Sequence, residues 1–152
     1  MTDTSSLATF PPEVRQAVDG LMYLGYLTDS FSFAGHRFVL RTLYGNEELM
    51  ADRLTKEYVE TTGQARAYAW SRVALSLVSI DGQADFCPPI GPDEYEHALG
   101  KFQYVTSKWF WPLGEYLFNR FAELQQRQVE AIRAVQDLSI RGLRNSPPSP
   151  DS

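Results

Sequence analysis

The chain is poor in the residues that build metal sites and disulfides. It has one cysteine, Cys87, and two histidines, His36 and His97. A lone thiol closes no internal disulfide, which suits a reducing compartment. Metal centres need several ligands at compatible spacing, and these three do not supply it. Cys87 is followed by Pro88 and Pro89, so it opens no helix whose N-terminus could acidify the thiol; a semi-buried loop cysteine is expected. Long uncharged apolar runs are also missing. The most apolar stretch, Thr62–Gly82, is interrupted by Arg66, Arg72 and Asp81, so no membrane span is expected. Basic residues are scarce and unclustered: 14 against 19 acidic, for a net charge of −5, which argues against nucleic acid as a partner. The opening MTDTSSLATF lacks the basic and apolar regions of a secretory signal. No glycine-rich phosphate loop occurs, and Asp81–Asp85 lacks the carboxylate spacing of a calcium-binding loop. Without a convergent set of titratable groups, the expectation is a non-enzymatic protein with no cofactor and no metal.

What is present suits a packed, mainly helical protein. At 152 residues with 43% hydrophobic and 13% aromatic content, the chain can bury a core without staples. The sequence divides into a loose arm at 1–8, a single mainly helical domain at 9–144, and a Pro/Ser tail at 145–152 expected to be disordered. About five helices are predicted. The first begins at Pro11-Pro12 and stops near Gly25, with Val14, Ala17, Val18, Leu21 and Met22 at helical spacing. A small β-hairpin follows near residues 30–43, where Phe31 and Phe33 alternate with serines before the turn Ala34-Gly35-His36. An isolated hairpin is marginal, so this one must pack on helices or pair with another chain. A charged helix over Glu47–Glu60 starts from Asn46 as cap. The apolar stretch itself reads as a central helix from Gln64 to about Ile80, with a β-rich last turn that loosens before the turn signal Asp81-Gly82. After the proline-rich segment 83–92 comes a helix over Asp93–Val105. A long amphipathic helix then runs from Pro112 to Arg141, marked by Leu113, Leu117, Phe121, Leu124, Ile132, Val135 and Leu138. Its length exceeds what a core of this size covers, which points to contact with another chain or another copy.

Two segments carry a family resemblance. One is Phe33-Ala-Gly-His-Arg-Phe-Val-Leu-Arg-Thr-Leu43 with Gly45-Asn-Glu-Glu-Leu49; the other is Val73–Gly82, ending Leu-Val-Ser-Ile-Asp-Gly. Over about residues 31–82 the chain resembles bacteriophage tail assembly chaperones and related small tail accessory proteins. The resemblance implies a binding protein that engages the tape-measure protein, or hub or baseplate subunits, in the host cytoplasm during assembly. The longer C-terminal helix departs from the shortest such chaperones. It leaves room for two other readings: a structural virion component of the tail tip or baseplate, packing in several copies, or a helical adaptor or regulatory domain. The candidate protein interface comprises Phe31, Phe33, Phe38 and Leu40 of the hairpin, the cluster Trp109, Phe110 and Trp111, and Leu117, Phe121, Leu124, Ile132 and Leu138 of the long helix. Homo-oligomerisation through that helix is a further expectation.

Overall fold

The computed structural model describes residues 11, 12, 15, 26–87 and 91–144, with side chains as far as 137. The predicted first helix and the two tails therefore lie largely or wholly outside the described residues. The chain divides into two compact units, Thr28–Gln125 and Met1–Leu27 with Gln126–Ser152. Among the described residues there are four α-helices and one three-stranded antiparallel sheet, so the protein is mostly helical.

The unit Thr28–Gln125 starts with the hairpin. Strand β1 is Thr28–Phe33 and β2 is His36–Arg41, paired from Thr28↔Arg41 to Phe33↔His36. Alternation fixes which side faces the helices: Phe31 and Phe33 turn in, while Thr28, Ser30 and Ser32 stay exposed. The two-residue turn has positive φ at both Ala34 (53°) and Gly35 (79°), the mirror-image turn that matches strand twist.

The third strand corrects the sequence reading. The central helix ends at Ser76, and Leu77–Ile80 is β3, paired antiparallel with β2 through Phe38↔Ile80 and Leu40↔Leu77. Val78 and Ile80 are β-branched, and the strand gives their backbone a ladder that a frayed helical turn lacks. Asp81 and Gly82 follow at positive φ, 52° and 80°, and stop the strand.

Helix α1 spans Gly45–Leu54. Its N-cap is Tyr44, not Asn46, and Glu47 completes the cap by accepting the Tyr44 N–H at 2.9 Å. The helix does not continue to Glu60. The Thr55 hydroxyl bonds back to the carbonyls of Ala51 and Asp52, a short 3-10 turn follows at Lys56–Tyr58, and Glu60 has positive φ. Helix α2, Gln64–Ser76, is the spine: nine of its residues are buried, Arg72 among them. Arg72 is held by Asp52 at 2.6 Å, by Ser71 Oγ at 3.1 Å and over the Tyr68 ring at 3.8 Å, so its charge is not left bare. Helix α3, Glu94–Lys108, is capped by Asp93, which accepts the Glu96 N–H at 2.7 Å. Helix α4 is Trp111–Arg144. Side chains from β2, α1, α2, α3 and the first part of α4 meet in one core, including Leu40, Leu54, Val73, Leu77, Val105 and Leu117.

Candidate interaction surfaces

Three consecutive large rings cannot share one side of a helix. The corner Trp109-Phe110-Trp111 between α3 and α4 divides them accordingly. Trp109 turns inward, edge-on to Phe38 at 6.1 Å and to Tyr104 at 6.0 Å. Trp111 packs edge-on to Trp70 at 5.8 Å, under the Arg66 guanidinium at 5.1 Å. Phe110 is left 84% exposed. A large ring in water, fixed between two anchored tryptophans, is a preorganised contact point.

The sheet has two edges, and they differ. On the outer side of β3 the Ile80 N–H and carbonyl are taken by Gln83, each at 3.0 Å, and the Leu77 carbonyl accepts Lys101 Nζ at 3.3 Å. The outer side of β1 receives no hydrogen bond from any described residue. The hairpin turn makes Phe33↔His36 a hydrogen-bonded pair, so Phe31 and Asp29 also bond toward β2. The backbone groups of Thr28, Ser30 and Ser32 therefore point out along the free edge. Beneath the strand, Phe33 stacks on Tyr116 at 4.1 Å and Arg120 lies over Phe31 at 4.3 Å. The same Arg120 holds Asp29 at 3.0 Å.

A groove of about 530 Å³ opens beside α1 and α3, lined by Arg41, Tyr44, Met50, Leu75, His97 and Lys101 among others. Its charges are largely occupied by the chain itself. Arg41 forks onto both Glu47 oxygens. Burial pushes the Glu47 carboxyl up, but the Arg41 and Tyr44 hydrogen bonds and the charges of Arg41 and Lys101 outweigh it, and the net shift is down. Burial pushes the Lys101 ammonium down from its ordinary 10.5, Arg41 adds to this, and Cys87 and Glu47 oppose it. The Cys87 thiol is itself pushed up by burial against the opposing pull of Lys101, which disfavours the nucleophilic thiolate. Among the described residues no three His, Cys, Asp or Glu side chains gather where they could hold a metal ion, and no helix is long and apolar enough to cross a membrane.

The remaining candidate residues fall into three groups. Phe38, Leu40, Leu117, Phe121 and Leu124 are buried within the chain, so in this conformation they hold the fold and offer no surface. Phe31, Phe33, Trp109 and Trp111 are part-buried and packed against the core. Phe110 and Ile132 are exposed, and the Leu138 side chain lies outside the described residues. On α4, Val129 and Val135 join Ile132 as exposed apolar residues three apart, while Ala131 beside them is buried. The amphipathic pattern identified α4 as having an apolar stripe, but it could not say which apolar positions the chain covers itself. Sequence reasoning singled out the hairpin edge as a possible contact with another chain but could not say that the bare edge belongs to β1, because that depends on which strand lies outermost. Compared with protein-family models, curated proteins and solved structures, the chain has no significant match in any of the three.

Proposed function

We propose that the protein acts by binding, as a bacteriophage tail morphogenesis protein that engages the tape-measure protein or another tail subunit during assembly in the host cytoplasm. The observation that carries the binding reading is Phe110, a ring held almost wholly in water by a corner whose other two aromatics are locked inward. Aromatic anchors on preorganised corners supply a large share of interface energy when a partner desolvates them. The assignment to tail assembly rests on the resemblance of residues 31–82. A chaperone of this kind would cover apolar segments of the tape measure and then leave.

A second reading has its own support. The exposed stripe Val129, Ile132 and Val135 suits packing between copies, as in a virion component retained at the tail tip or baseplate. One experiment separates the possibilities. Tagged protein is recovered from infected cells, and purified virions are analysed alongside by mass spectrometry. The chaperone reading expects tail subunits in the pull-down and no copy in virions; a retained component appears in both. Phe110→Ala should reduce recovery of the partner about tenfold or more. Recovery of host proteins only would sink the tail reading in favour of an adaptor domain. Undiminished recovery with Phe110→Ala would sink the role given to that ring.

A further inference from the structure

We infer that the free edge of β1 is a two-fold docking surface for a second copy of this chain, with Ser30 on the axis. Edge strands are normally protected by proline, by lysine, by bulges or by a covering segment. The six residues of β1, TDSFSF, contain no proline and no lysine, and the register with β2 is unbroken along them. No described residue hydrogen-bonds its outer backbone groups. The one charge in the strand, Asp29, is neutralised by Arg120 and does not repel an incoming strand.

Self-complementarity selects a second copy as occupant. The outward-bonding residues are Thr28, Ser30 and Ser32, evenly spaced about Ser30. An antiparallel strand related by a two-fold axis at Ser30 sets Ser30 against the second copy's Ser30, and each Thr28 against the opposite Ser32. That arrangement forms about six backbone hydrogen bonds, two for each of the three facing pairs. On the exposed face the partners are small hydroxyl side chains, which suit cross-strand pairing and carry no like charges. On the other face Asp29 comes opposite the second copy's Phe31, whose ring carries the Arg120 guanidinium. Each Asp29 keeps its own Arg120, so the facing pairs bring no unpaired like charges together. The two three-stranded sheets become one continuous sheet.

This inference does not rest on the tail reading, and its test needs only the pure full-length protein. Facing Cα atoms in a hydrogen-bonded antiparallel pair lie about 5.5 Å apart, within disulfide range. In a Cys87→Ala background, Ser30→Cys should oxidise to a covalent dimer. Thr28→Cys alone should not, because its two copies lie roughly 14 Å apart at about 3.4 Å per residue. A mixture of Thr28→Cys and Ser32→Cys should cross-link to each other. Sedimentation of the unmodified chain should show a monomer–dimer equilibrium. Ser30→Pro should abolish the dimer while leaving the circular dichroism spectrum unchanged, since the N–H it removes points outward. A monomer at every concentration, or a dimer that survives Ser30→Pro, overturns the proposal. So does self-cross-linking of Thr28→Cys as fast as that of Ser30→Cys.

Discussion

Gly114, early in α4, sits against Trp70 of α2. A Cβ built there would come within 2.6 Å of the indole Cη2 and 2.8 Å of Cζ2 and Cζ3. In open space, glycine to alanine within a helix gains about 1 kcal/mol. Here Trp70 is buried and wedged against Trp111, so the ring has little room to retreat. Gly114→Ala is therefore expected to destabilise the fold by about 1–3 kcal/mol, the usual cost of overpacking. A thermal melt decides it, and a raised Tm would contradict the contact. The opposite sign is expected at Ala34. Its φ of 53° is left-handed, which costs an ordinary L-residue about 1–2 kcal/mol, and no element of the turn calls for a methyl group. Ala34→Asn, the preferred residue at this turn position, should stabilise by about 0.5–1 kcal/mol in a denaturant titration. Neither position can be valued from sequence spacing alone. Gly114 and Trp70 lie on different helices, and Ala34 is an unusual residue for the turn it occupies.

At the scale of elements, the junction after β3 clasps the hairpin. Asp81 Oδ1 accepts the Arg37 N–H at 2.8 Å, Oδ2 pairs with His36 Nδ1 at 2.7 Å, and the Asp81 N–H donates to the Arg37 carbonyl at 2.7 Å. The backbone N–H of Arg37 and the His36 ring hold the Asp81 carboxyl below its ordinary 3.8. Because the folded value is the lower one, the carboxylate's stabilising effect is complete above the ordinary value and is lost as pH falls through the folded one. Asp81→Ala removes both side-chain bonds and places alanine at positive φ. It should lower Tm near neutral pH and speed hydrogen exchange at the Arg37 amide, with the difference from the parent shrinking in acid. Equal exchange rates at neutral pH would refute the clasp. The sequence made the turn at Asp81-Gly82 legible, since an Asp-Gly pair after an apolar run breaks most elements. It also made the hairpin legible from the alternation of Phe31 and Phe33 with serine. It did not reveal the third strand. Four residues are too few for period two to stand out from the end of a helix, and β2 supplies the missing information from far along the chain. The end of α1 was hidden for a related reason: Leu54 and Tyr58 keep helical spacing across a break made by Thr55 and the residues after it.

At the scale of the whole molecule, the interface expected from sequence was sorted by burial. The apolar stripe of α4 was legible as a pattern, yet Leu117, Phe121 and Leu124 are consumed by the fold, while Val129, Ile132 and Val135 remain in water. Periodicity gives a helix its face but does not say which apolar positions the chain covers: Ala131, seven residues past Leu124, is still buried, while its neighbours Val129, Ile132 and Val135 are not. The aromatic corner follows the same logic: of Trp109, Phe110 and Trp111, geometry required at least one to point away, and only the fold chose Phe110. The unequal edges of the sheet have a consequence of a different kind. A strand that can recruit a neighbour on both sides propagates, and an array of such chains grows without limit. Here β3 is short, and its outer groups at Ile80 and Leu77 are already taken by Gln83 and Lys101. Among the described residues β1 offers the one free sheet edge, so in the dimer inferred above, pairing across a two-fold axis uses it up. In that arrangement growth through the sheet would terminate at two chains, because Gln83 and Lys101 already occupy the outer groups of β3.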